Sequence, residues 1–207
     1  MDETEFFIDL PEDLIDLKLP NSYNLKYYRD LSNRTIWINE EIDRNLTQEI
    51  IHYIIKWNRD DKGIPEMDRK PIRLLFDSQG GDLDAQAAIC SAIELSKTPV
   101  IGVAVGLVAS AASLIYLSCH VRLAFKSSYF ILHKGSAALS GDYENIISSI
   151  EDYKKEINKM ISFIIEKSKY TKEEVEEHIN KDWYVRAQEA LEKGMVDEII
   201  TDINVLL

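Results

Sequence analysis

From Thr98 to Val121 the chain carries no Asp, Glu, Lys or Arg. A neutral stretch of that length wants shielding from water, so it is either a membrane span or the centre of the fold. Its middle, VAVGLVASAASLIYLSC (Val103–Cys119), chooses between the two. Pro99, Gly102, Gly106 and the hydroxyls of Ser110, Ser113 and Ser118 lower its hydrophobicity. Its flanks also lack the aromatic and basic anchors of a membrane interface. The expectation is a buried strand, PVIGVAVG, running into a buried helix from about Ala109. The three hydroxyls raise a further question: whether they serve packing, or whether one of them does chemistry.

The flanking sequence alternates between the periods of strand and helix. TIWIN (Thr35–Asn39) and IRLLFD (Ile72–Asp77) are β-rich runs, and VRLAF and YFILH are two more. Between the first two, Ile42, Leu46, Ile50, Ile54 and Trp57 fall on one helical stripe. Ala85, Ala88, Ile89, Ala92 and Ile93 do the same in DLDAQAAICSAIELSK. A long helix is expected from about Tyr143 to Lys167, with Ile146, Ile150, Tyr153, Ile157, Met160 or Ile161, and Ile164 in step. TKEE (Thr171–Glu174) is a capping-box signature. A last helix runs from near Arg186 to its C-cap Gly194, and MVDEII closes as a strand. DDKGIPEMDRKP is read as a hydrophilic loop, and residues 1 to about 33, with the turn LPNSY, as an irregular arm. Alternating strands and helices of this kind imply an α/β fold with a helix-covered sheet.

Composition narrows the function. The 207 residues carry a net charge of −12, so no basic stripe is available for phosphates, and neither nucleic acid nor an anionic membrane is an expected partner. Cys90 and Cys119 sit in apolar surroundings and read as buried small hydrophobes in a reducing compartment. The acidic opening MDETEFFIDLPEDLIDLK fits neither a secretory signal nor a transit peptide, which makes a cytoplasmic protein the expectation.

Two passages could carry chemistry. In FDSQGGD, two glycines after a buried strand allow backbone N–H groups to approach an anion closely at a helix start, although the spacing fits neither a P-loop nor a dinucleotide fingerprint. Taken alone it is a tight turn. In GLVASAAS, Ser110 stands at a strand-to-helix junction among Gly106, Ala109, Ala111 and Ala112, the small neighbours an accessible nucleophile needs. Small residues in a core helix also serve close packing. A serine requires a base, and the candidates are His52, His120, His133 and His178. His52 and His178 lie in amphipathic and acidic helices, and His120 sits at a helix end. His133 closes the strand YFILH ahead of a loop, where reactive groups tend to be displayed. Among the many acids, Asp182 in KDWYV stands out mildly, as a carboxylate expected to be partly buried between a helix end and bulky residues.

Read together, FDSQGGDLDAQAAI, GLVASAAS, FILHKG and NKDWYVRAQEALEKGMVDEII resemble the proteolytic subunit (ClpP) family of ATP-dependent Clp proteases. That family's pattern runs S-P-G-G, G-Q-A-A-S-M-G, I-H-Q-P, R-D-x-[FY]-[LM]-[ST]-x-x-E-A and G-[LI]-[VI]-D. The resemblance covers about Ser22 to Ile200. The intervals Gly81 to Ser110 and His133 to Asp182 match the family's, while Ser110 to His133 is two residues shorter, a deletion around Cys119–Val121. Departures are Gln79 for Pro, Ala111 and Ala112 for Met and Gly, Lys134 and Gly135 after the histidine, and Arg186 at a Ser/Thr cap position. These mark a divergent member.

The resemblance implies a crotonase-like superhelix of βα units with a protruding handle helix after Gly141. It implies an arm over residues 1–21 and a serine peptidase domain over 22–207. Ser110 would be the nucleophile, His133 the general base and acid, and Asp182 the orienting carboxylate. The N–H groups of Gly81 and Ala111 would form the oxyanion hole. The implied assembly is a double ring of seven copies, fed with unfolded polypeptide by an AAA+ unfoldase that uses the ATP. No metal or organic cofactor is implied in this subunit. Alternatives are a non-catalytic ring subunit, a crotonase-type acyl-CoA enzyme, and a Ser–Lys signal-peptide peptidase, the last of which wants a membrane anchor.

Overall fold

The computed structural model describes residues 22–136 and 140–206, so the arm expected over residues 1–21 lies outside the described residues. The chain divides into two units, residues 1–33 and 34–207. In the first, Ser22–Ser32 forms a helix, α1, where the sequence reading expects irregular chain. SYNLKYYRDLS contains no Gly or Pro, and its end is closed by Asn33 N–H donating to the carbonyls of Arg29 and Asp30. Tyrosine, asparagine and serine are middling helix formers, which is why period alone does not reveal it.

Among the described residues, the second unit is built on one seven-stranded sheet. β1 (Thr35–Ile38), β2 (Ile72–Ser78), β3 (Val100–Ala109), β4 (Val121–Phe125) and β7 (Glu198–Ile200) lie parallel in that order. Parallel neighbours need crossovers, and α2 (Arg44–Asp60), α3 (Leu83–Leu95) and α4 (Ala111–Ser118) supply them, packed one on the next. Each step goes the same way across the sheet, so right-handed connections put all three helices on one face. Beneath them Ile36, Ile38, Ile72, Leu74, Phe76, Val100 and Ala104 are buried. On the opposite face Trp37 and Val121 remain exposed while Val103 and Leu123 are buried, so that face is covered only in part.

The neutral passage is therefore β3 and α4, divided at Ser110, and among the described residues no helix is long and apolar enough to cross a membrane. Its position follows from a fork in β3. Residues Ile101–Ala104 pair with β4, whereas Leu107–Ala109 pair with β5 (Tyr129–Leu132). The change of partner coincides with an irregularity against β2 between Phe76 and Ser78. There the Asp77 carboxylate crosses onto β3 and accepts the Leu107 N–H at 3.0 Å, in space that any side chain at Gly106 would occupy. Beyond that irregularity β3 still pairs with β2 at Val108, exchanges β4 for β5 on its other edge, and delivers Ser110 beside β5.

The remaining elements are α5 (Tyr143–Glu166), α6 (Lys172–His178), β6 (Trp183–Arg186), α7 (Ala187–Glu192) and two single 3-10 turns, Glu66–Asp68 in the loop before β2 and Ile203–Leu206 after β7. α6 opens on the expected capping box, in which Thr171 and Glu174 each bond the other's N–H. β6, antiparallel to β5, is a strand that the sequence reading does not anticipate. Ile42 also differs from expectation. It precedes the helix, which starts at the Asp43 cap, and is buried instead in a bridge to Gly81. In α3 the buried face is Ala85, Ile89, Cys90 and Ile93, with Ala88 exposed.

Candidate active site

Ser110 sits in a conformation that L-residues rarely adopt, with φ 53° and ψ −126°. Such backbone costs about 1–3 kcal/mol and persists only where surroundings enforce it. Here Ser110 N–H donates to Ile131 O at 2.8 Å, and the Gly80 backbone presses on the turn from the other side. A Cβ on Gly80 would lie 2.6 Å from Ala109 O and 2.7 Å from Ser110 Cβ, so only glycine allows this approach.

The three hydroxyls now separate. Ser113 Oγ donates to Val108 O at 2.7 Å and Ser118 Oγ to Ile115 O at 2.7 Å, which makes both of them buried carbonyl partners in the core. Ser110 Oγ has no such partner among the described residues and is half-buried. It lines a cavity of about 20 Å³ with Ala111, Leu114, His133 and Met160.

His133 reaches that cavity through strand register. β5 lies parallel to β3 with Ala109 opposite Ile131, so Ser110 follows alongside Leu132, the residue before His133. On its other edge β5 pairs with β6, Leu132 opposite Trp183, which puts His133 across from Asp182. The imidazole Nδ1 stands 3.3 Å from Asp182 Oδ1. Its Nε2 is buried with no hydrogen-bond partner among the described residues. A buried polar atom left unpaired is costly unless it awaits a proton or a ligand. Asp182 is more open than the sequence reading expects, with 58% of its side chain exposed. β6 begins only at Trp183, so the carboxylate stands at the rim, one residue before the strand.

Donors for a developing anion lie close by. Ile42 N–H donates to Gly80 O and Ile42 O accepts from Asp82, so the bridge leaves the Gly81 N–H unused, and in a parallel pairing it points away from Ile42. The Ala111 N–H is the first of the unsatisfied donors at the start of α4. A Cβ on Gly80 would stand 2.9 Å from that nitrogen, which fixes how closely the two turns approach.

The other histidines are placed elsewhere. His120 lies at the opposite end of β3, about 30 Å of extended strand from Ser110. Its Nδ1 accepts the Val100 N–H at 2.9 Å. Burial, and then the charge of Lys167, lower its pKa. It lines a cavity of about 980 Å³ in which Arg122 pairs with Asp197 and Lys167 with Glu94. His52 is exposed on α2, and His178 stacks on Trp183 while its Nδ1 meets Glu174 O. Burial holds the Cys90 and Cys119 thiols above their ordinary pKa values, so neither is an activated nucleophile.

The Clp protease family model matches residues 21–202 of the chain. The chain belongs to the Clp protease family. Among its relatives is the "ATP-dependent Clp protease proteolytic subunit 2" of Treponema denticola, 30% identical over 82% of this chain and 82% of that protein. The subunit 2 of Treponema pallidum is 28% identical over 84% of this chain and 85% of its own length. Of solved structures, a point mutant of ClpP1 from Listeria monocytogenes superposes with a TM-score of 0.75. It covers 88% of this chain and 99% of its own at 22% identity, and so shows the same fold.

Within the Clp protease family frame the departures acquire structural meaning. Arg186 caps α7 without a side-chain hydrogen bond and places its guanidinium 4.7 Å from the Tyr129 ring centre instead. Lys134, in place of glutamine, donates to Asn180 Oδ1 at 2.6 Å. Sequence reasoning missed several apolar contributors to the cavity beside the serine, Leu83 and Met160 among them, and these two were legible only as apolar positions on helices.

Proposed function

We propose that this chain is a serine endopeptidase, the proteolytic subunit of an ATP-dependent Clp-type protease. The observation that carries the reading is the unpaired, buried Nε2 of His133, which shares a cavity with Ser110 while Nδ1 faces Asp182. With Nδ1 donating to the carboxylate, Nε2 holds a lone pair ready for the Ser110 proton. Ser110 Oγ attacks a peptide carbonyl, Nε2 takes its proton and returns it to the leaving amine, and the Gly81 and Ala111 N–H groups bind the oxyanion. Water then resolves the acyl-enzyme by the same groups. In the single chain Ser110 and His133 are not hydrogen-bonded, and assembly or substrate closes that gap.

Further parts of the reading are a cytoplasmic location, a double ring of seven copies, and an AAA+ unfoldase that spends the ATP and feeds unfolded chains inward. The peptidase chemistry calls on no metal or organic cofactor. The half-exposed stripe on α5, where only Ile161 and Ile164 are buried, supports assembly through that helix. The test is hydrolysis of a short fluorogenic peptide by the purified oligomer. Ser110→Ala should abolish turnover and leave the oligomer intact, whereas turnover equal to wild type would refute the nucleophile assignment.

A further inference from the structure

We propose that Lys134 is a positioning residue, a clamp that holds the His133–Asp182 pair in register. The inference rests on the peptidase reading above. The last ladder pair between β5 and β6 is Leu132 with Trp183, so both functional residues lie one step beyond the paired strands. Their own contact, 3.3 Å between partly exposed groups, fixes little by itself. What brackets them on the far side is Lys134. Its N–H donates to Ile179 O at 3.2 Å, and its Nζ donates to Asn180 Oδ1 at 2.6 Å, two residues before Asp182. Asn180 is itself anchored, its Nδ2 donating to Glu176 O in the last turn of α6. From the other direction Tyr153, on α5, donates its hydroxyl to Lys134 O at 2.8 Å. Three elements thus meet on the residue that follows the histidine, and one of them is the long helix whose stripe awaits a partner.

Replacing the side chain leaves the Lys134 N–H bond in place; Lys134 also lines the Ser110 cavity, so Asn180→Ala, at a residue outside that lining, isolates the clamp. Lys134→Met should lower kcat roughly tenfold, the scale of a small misplacement at a reacting centre, with KM changed by less than about twofold. Asn180→Ala should lose a similar factor, and the double variant no more than either alone, because both delete one link. Tyr153→Phe should lose about threefold by the same route. Lys134→Arg should restore turnover, since it keeps a charged donor. Melting temperature and oligomer size, read alongside, should not move. An unchanged kcat in Lys134→Met, a loss confined to KM, or multiplicative losses in the double variant would overturn the clamp while leaving the peptidase standing. A wild-type oligomer without any turnover sinks the reading and the clamp together.

Discussion

Two helices of this chain make opposite use of apolar residues. α4 spans 8 residues and buries every one of them. α5 spans 24 and buries only Ile161 and Ile164, although Ile146, Ile150, Tyr153 and Ile157 continue the same stripe in half-exposed positions. The contrast shows that an apolar pattern reports which surface avoids water, not whether this chain covers it. α4 lies against β3 and β5 and under α3, so its cover is complete within one copy. α5 is buried only towards its C-terminal end; further back Tyr153 bonds Lys134 O, and Ile146, Ile150 and Ile157 stay half-exposed.

The sharpest way to break the comparison is a matched pair of truncations. Ile115→Ala in α4 should cost about 3–4 kcal/mol, a fully buried side chain removed from a closed site, read by urea denaturation. Ile157→Ala in α5 should cost the single chain less than about 1 kcal/mol and instead weaken self-association, measured by sedimentation. Equal losses of folding stability would erase the distinction.

A second contrast lies where the neutral passage begins. Thr98 Oγ1 donates to Asp61 Oδ2 at 2.9 Å, and Arg34 grips both oxygens of that buried carboxylate at 2.6 and 2.7 Å. Asp61→Asn should cost about 3 kcal/mol, because Arg34 loses its charged partner in a nearly closed site. The bond to Arg34 holds the Asp61 pKa below its ordinary value. The stabilisation is therefore complete above the ordinary aspartate pKa and drains away as pH falls through the lowered one. The smallest expected effect follows: between neutral pH and the acid range, Asp61→Asn should show a shallower decline in stability than wild type. Parallel decline in the two proteins would remove Asp61 as the cause.

How much of this was legible in the sequence depended on whether the signal was local. The strand that runs into FDSQGGD and the helix that follows it, the capping box at Thr171 and the long α5 are set by period and cap chemistry, and the chain states them outright. β6 was not legible, since WYVR is four residues long and is a strand only because β5 lies beside it. α3 offered an alanine stripe through Ala88, yet the buried neighbour is Cys90, because α4 approaches from that side. At the site, the spacing of Ser110, His133 and Asp182 spoke through resemblance. Composition could not say that Ser113 and Ser118 were spent on carbonyls while Ser110 was not. Nor could it show that Asp182 stays open at the rim, because its exposure follows from where β6 begins.

One measurement goes straight to the central claim, that Ser110 alone of the three serines in the neutral passage is a nucleophile activated by His133. It is mass mapping of the adduct left by a fluorophosphonate probe on the assembled protein. The account predicts a single modified site at Ser110, lost in His133→Ala. An adduct on Ser113 or Ser118, or an assembled protein that takes no probe at all, would contradict it.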